Sequence, residues 1–89
     1  MEKKVTITDE AGMHARPAAK LSKKAASFDN DITMTHKGKT VNLKSVMGVM
    51  SLGIGKDGEV TLTVNGDEAE SVMERIVSEM AELELIDKD

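Results

Sequence analysis

Period-two alternation in four short segments, helical spacing of apolar residues in three others, and the order of these segments predict an α+β fold. The expected architecture is a two-layer, open-faced β-sandwich in the order β-α-β-β-α-β-α. It has a four-stranded, mostly antiparallel sheet with three helices on one face. Eighty-nine residues leave room for one core, so residues 1–89 are read as a single domain.

Val5 and Ile7 alternate with Lys4, Thr6 and Thr8, the pattern of a half-buried strand. Asp9 to Met13 is a loop, with Gly12 the residue free to take unusual backbone angles. From Ala15 the spacing turns helical, and Ala18, Leu21, Ala25 and Phe28 form one apolar stripe. Pro17 is compatible with a helix only in its first turn, where its missing N–H costs nothing, which puts His14 at or beside the N-cap. Asp29-Asn30-Asp31 breaks the helix. Ile32 and Met34 alternate with threonines, Lys37-Gly38 makes a turn, and Val41 and Leu43 complete a hairpin over residues 31–43. A short helix follows, opened by Ser45 and closed by Gly53. After a turn at Gly55 to Gly58, Val60, Leu62 and Val64 face inward from a fourth strand. Asp67 and Glu70 suggest a capping box for a last helix with Ala69, Val72, Met73, Ile76, Val77, Met80 and Leu83 as its stripe. The threonine-rich face of the sheet is expected to be wet.

Composition removes several function classes. The chain has no cysteine, so disulfides, thiolate metal sites and cysteine nucleophiles are excluded. Phe28 is the only aromatic residue and the net charge is −4, so nucleic acid is not the expected partner. No apolar run is long enough to span a bilayer, and Met-Glu-Lys-Lys leads into a strand pattern. No membrane insertion is expected, and the cytoplasm is the expected location. The charge is uneven: residues 1–44 carry nine basic and five acidic side chains, residues 45–89 three and eleven. The basic half contains His14, which hints at an anionic ligand.

The stretch Gly12-Met13-His14-Ala15-Arg16-Pro17-Ala18 carries the chemistry. A helix start presents unpartnered N–H groups and a partial positive charge, which together attract anions. Arg16 adds a planar donor fork suited to phosphate. A neutral imidazole beside it is a nucleophile, and a phosphoryl group on His14 would face both the helix N–H groups and the guanidinium. Gly12 permits close backbone approach, and Pro17 stiffens the first turn. Taken alone, a histidine before a helix is more often a cap or a solvent-facing residue. Arg16 and Pro17 bring the two readings level, and residue physics stops there.

The same seven residues match the active-site signature of HPr, the histidine phosphocarrier family of the bacterial phosphoenolpyruvate-dependent sugar phosphotransferase system. A second stretch, from Val41-Asn42-Leu43-Lys44-Ser45 through Val46-Met47-Gly48-Val49-Met50-Ser51-Leu52-Gly53, resembles the regulatory segment of HPr from low-GC Gram-positive bacteria. Length and element order resemble the family as well. The resemblance implies that His14 takes a phosphoryl group from Enzyme I on Nδ1 and passes it to sugar-specific IIA proteins. It assigns Arg16 as the assisting residue, with Gly12, Ala15 and Pro17 forming the phosphate-binding loop and helix start. No cofactor, no metal and a monomer are expected, in a carrier rather than a self-sufficient enzyme. Ala11 departs from the family, where a small polar residue is common.

Ser45, read from the residues alone, is a helix N-cap worth about 1 kcal/mol. The resemblance adds a regulatory role: phosphorylation by HPr kinase/phosphorylase, with the modified form dampening transfer and acting as corepressor with the catabolite control protein. Val49 and Leu52 are the expected core residues of the short helix, which leaves Val46, Met47 and Met50 as an exposed apolar patch. In the family this helix docks the partners. Lys20, Lys23 and Lys24 follow Arg16 along one flank of the first helix. A charge row is usually a solvated face; here it is read as the rim of the docking surface, suited to acidic partners. His36 has no assigned role, and two separated histidines make no metal motif. Two rival readings remain. One is a purely regulatory paralogue working through phospho-Ser45, which would lack the histidine at position 14. The other is a hydrolase using His14, for which no carboxylate partner is readable in the sequence.

Overall fold

The computed structural model describes residues 1–87. It has strands β1 (Glu2–Thr6), β2 (Ile32–His36), β3 (Lys39–Asn42) and β4 (Glu59–Val64), and helices α1 (Ala15–Ala26), α2 (Val46–Met50) and α3 (Ala69–Glu82). The elements follow in the order β1-α1-β2-β3-α2-β4-α3, as the alternation of periods predicts. The sheet order is β1-β4-β2-β3, and every neighbouring pair is antiparallel. β4 therefore lies between β1 and β2, and the connection through α1 crosses over it.

The hairpin of β2 and β3 closes where Lys37 and Gly38 both take positive φ, 51° and 82°. That pair of angles is the tight-turn geometry whose twist matches the flanking strands. The register sets His36 opposite Lys39 and Met34 opposite Val41. Ile32, Met34, Val60, Leu62 and Val64 bury their side chains from the sheet. Ala18, Leu21 and Ala25 meet them from α1, and Val72, Met73, Ile76 and Met80 from α3. Thr33, Thr35, Thr61 and Thr63 stay half-exposed on the opposite face.

Three local details differ from the sequence reading. Ladder pairing of β1 ends at Thr6. Ile7, fully buried, is held instead by its amide on the Gly58 carbonyl (2.9 Å) and by the Asp57 amide on its own carbonyl (2.7 Å). The capping box at Asp67 and Glu70 does not form. The N-cap of α3 is Glu68, with φ 55° and no side-chain cap, while the Asp67 carbonyl accepts from Asn30 Nδ2 at 2.9 Å. A left-handed residue between Asp67 and the helix turns Asp67 out of the capping position. Finally, Leu85 beyond α3 is fully buried, and its carbonyl accepts the Thr8 amide at 2.8 Å. One reversal at Glu84, φ 61°, folds this segment back onto the core, which a helical stripe ending at Leu83 does not anticipate.

Candidate functional site

The segment from Asp9 to Ala18 folds by local hydrogen bonds that consume its amides in turn. Asp9 Oδ1 accepts the Ala11 amide at 2.8 Å, and the Asp9 carbonyl accepts that of Gly12 at 2.9 Å. This is a side-chain-supported turn of the kind short acidic residues favour. Gly12, at φ 68°, then reverses the chain. A β-carbon there would lie 2.4 Å from the Ile54 carbonyl oxygen and 2.8 Å from the Gly55 α-carbon, so only glycine fits. Met13 donates to the same Ile54 carbonyl at 3.0 Å, and its side chain is buried in the core. The His14 amide donates to the Gly12 carbonyl at 3.1 Å.

α1 begins at once. His14 is the N-cap residue, with extended backbone (φ −90°, ψ 178°), but its side chain makes no capping hydrogen bond. The imidazole is 45% exposed. Pro17, third in the helix, has no N–H, and the Ala18 amide donates to the His14 carbonyl at 3.0 Å. The amides of Ala15 and Arg16 are thus left without intrahelical partners, and both residues are exposed. An exposed imidazole, two N–H groups at the positive end of a helix and an exposed arginine thus fall within three consecutive residues at the start of α1.

One contact was not legible in the sequence. The Asp9 carboxylate places Oδ2 3.7 Å from His14 Nε2, so the histidine does have a carboxylate neighbour. Asp9 is 23% exposed and its other oxygen is fixed by the Ala11 amide. The sequence gives no periodic signal for it, because the two residues meet through a loop reversal at Gly12. Nearby, Lys56 pairs with Glu10 at 2.9 Å across the same two loops.

Ser45 is the N-cap of α2, and its Oγ accepts the Gly48 amide at 3.0 Å. A β-carbon at Gly48 would sit 3.3 Å from that Oγ and 3.3 Å from Val41 Cβ, so the cap and the hairpin press against this glycine. Val49 is buried, while Val46, Met47 and Met50 are 36%, 81% and 39% exposed. α1 packs against both α2 and α3. Arg16, Lys20 and Lys23 are exposed and Lys24 is half-exposed. Lys20, Lys23 and Lys24 border a shallow groove with Ser27 and with Glu79 of α3. The spacing that aligns these cations cannot say which neighbour they face, and this part of the row lies toward α3.

His36 is buried and brings Nδ1 to 2.9 Å of the Glu59 carbonyl. A carbonyl can only accept, so Nδ1 carries the proton, and the residue links β2 to β4. Among the described residues, no three His, Asp or Glu side chains are grouped to hold a metal ion. No helix among them is long and apolar enough to cross a membrane.

The family model for the phosphotransferase-system HPr component phosphorylation site matches residues 1–82. Among solved structures, the chain resembles the histidine-containing phosphocarrier protein of Mycoplasma, with 37% identity over 98% of this chain and 99% of that one, and a TM-score of 0.94. It resembles the phosphocarrier protein HPr from Bacillus anthracis with 40% identity over 89% and 94% and a TM-score of 0.82. It also resembles Crh, the Bacillus subtilis catabolite repression protein, solved as a swapped dimer, with 36% identity over 90% and 92% and a TM-score of 0.72.

Proposed function

Since this chain belongs to the HPr family of the phosphotransferase system, we propose that its phosphoryl group is carried on His14, by the following arrangement. The supporting observation is an exposed imidazole at the N-cap of α1 that makes no cap, beside the amides of Ala15 and Arg16, which have no partner among the described residues. Nδ1 attacks phosphorus, the donor's leaving group takes the electron pair of the breaking bond, and the transferred oxygens face the two amides and the Arg16 guanidinium. Every other amide from Ala11 to Ala18 except that of proline is already engaged. This supports a phosphoryl group resting on these two amides.

Enzyme I is the proposed donor and the IIA proteins the acceptors. The apolar surface of Val46, Met47 and Met50 is the proposed contact, with Arg16, Lys20, Lys23 and Lys24 attracting acidic partner faces. Ser45 is the proposed target of HPr kinase/phosphorylase, linking the carrier to the catabolite control protein. Such a protein is a substrate-like carrier working in the cytoplasm, as a monomer and without a cofactor. The likeness to Crh leaves room for a second reading, in which the chain acts as a corepressor through phospho-Ser45 alone, against which the histidine at position 14 counts. Incubation with phosphoenolpyruvate and Enzyme I separates the two. An acid-labile, base-stable phosphoryl group supports the carrier, and its absence leaves the corepressor.

A further inference from the structure

Asp9 and His14 are five positions apart, yet the reversal at Gly12 brings Asp9 Oδ2 to 3.7 Å from His14 Nε2. The carboxylate is not free to wander. Its Oδ1 accepts the Ala11 amide at 2.8 Å, its own carbonyl accepts that of Gly12, and Met13 anchors the loop to Ile54. The backbone that carries the ring is fixed as well, since His14 is the N-cap of α1 with Pro17 in the first turn. An acceptor-only group beside Nε2 favours the tautomer with its proton on that nitrogen. Nδ1 then keeps its lone pair.

We propose that Asp9 is a positioning residue for phosphoryl transfer: it holds the Nε2–H tautomer of His14 and stabilises the cationic ring formed when Nδ1 is phosphorylated. The inference rests on His14 being the phosphoryl carrier. In the step itself the Nδ1 lone pair forms the N–P bond, and the donor–phosphorus bond breaks with its electron pair leaving on the donor. No proton moves. Nε2 keeps its hydrogen throughout, so the ring gains a positive charge as the bond forms. That charge develops beside the Asp9 carboxylate, while the phosphoryl oxygens develop theirs toward the Ala15 and Arg16 amides. Opposite charges on the two sides of one ring each find an opposite partner. At 3.7 Å the pair is in ion-pair range rather than a formed hydrogen bond, and such contacts tighten as charge develops.

Asp9→Asn isolates this role from the folding of the loop. Asparagine keeps an oxygen for the Ala11 amide but removes the charge, and its NH₂ opposite Nε2 favours the other tautomer. Imidazole ¹⁵N chemical shifts of neutral His14 read the tautomer directly, and labelling from phosphoenolpyruvate and Enzyme I reads the transfer rate. The expected result is a shift of the tautomer population toward Nδ1–H and a fall in the labelling rate of roughly tenfold or more. This is less than the ~10⁴-fold loss known for a buried aspartate–histidine pair, because this pair is partly solvated. Asp9→Glu, which restores a carboxylate, should recover part of both. A labelled wild type with unchanged tautomer and unchanged rate in Asp9→Asn overturns the proposal and leaves the carrier reading standing. A wild type that takes no label removes the carrier reading itself.

Discussion

Met13 donates its amide to the Ile54 carbonyl at 3.0 Å, across the gap between the loop before α1 and the loop before β4. This bond ties the His14 loop to the body of the domain, and it is possible only because Gly12 has no side chain. Gly12→Ala combines a left-handed backbone, which alone costs a non-glycine residue about 1–3 kcal/mol, with a β-carbon 2.4 Å from a backbone oxygen. Gly38 also has positive φ, but its β-carbon would meet nothing within 4 Å. Urea denaturation should therefore show Gly12→Ala clearly more destabilised than Gly38→Ala, for which the left-handed backbone alone costs about 1–2 kcal/mol. Equal losses would mean that the Ile54 contact does not constrain the loop.

His14→Ala should abolish labelling from phosphoenolpyruvate and Enzyme I while leaving the melting temperature nearly unchanged. The imidazole is 45% exposed and caps nothing, so its removal should stay within about 0.5 kcal/mol in stability. Equal labelling of the variant and the wild type would move the phosphoryl group to another residue.

Ser45 is already engaged as a cap, which makes the effect of charge there specific. Ser45→Asp keeps an acceptor for the Gly48 amide and adds a negative charge at the helix start, a change of about 0.3–1 kcal/mol in the favourable direction. Its circular dichroism and melting curve should change little. The charge falls beside the exposed Val46, Met47 and Met50, the surface proposed to dock Enzyme I, which docking would have to desolvate. Transfer from Enzyme I should slow through weaker docking. Transfer at the wild-type rate, with unchanged affinity, would reduce Ser45 to a helix cap.

Met47 and Val49, two positions apart on α2, should respond in opposite ways. Met47 is 81% exposed and Val49 is buried. Val49→Ala should lower stability by roughly 1–3 kcal/mol, the transfer and cavity cost of two buried methyl groups. Met47→Glu should leave stability within about 0.5 kcal/mol and weaken Enzyme I binding, measured by calorimetry, because it puts a carboxylate into the apolar contact and against an acidic partner face. Unaltered binding would remove the methionine from the docking surface.

Ser22 lies buried in α1 with its hydroxyl unpaired among the described residues. Replacing it with alanine removes an unsatisfied polar atom and improves helix propensity. Ser22→Ala should raise stability by about 0.5–1 kcal/mol, checked by denaturant titration. A loss of stability would mean that the hydroxyl has a partner, such as a water molecule.

The sequence by itself determined the fold class, because burial in strands and helices leaves periods of two and 3.6 that survive in one dimension. Val60, Leu62 and Val64, or Ala18, Leu21 and Ala25, announce their faces without any knowledge of what covers them. It also determined the exposed Val46, Met47 and Met50, since a five-residue helix cannot bury every apolar side. His14 was legible as a helix-start residue because Pro17 allows a helix only around its first turn. Tertiary structure alone decided the contacts made by chain reversal. Asp9 reaches His14 because Gly12 takes a left-handed angle in the space under Ile54. Leu85 returns to the core after Glu84 reverses, and His36 finds its carbonyl on a strand distant in sequence. A loop's path depends on single backbone angles and on the surface that receives it, and neither has a period to read.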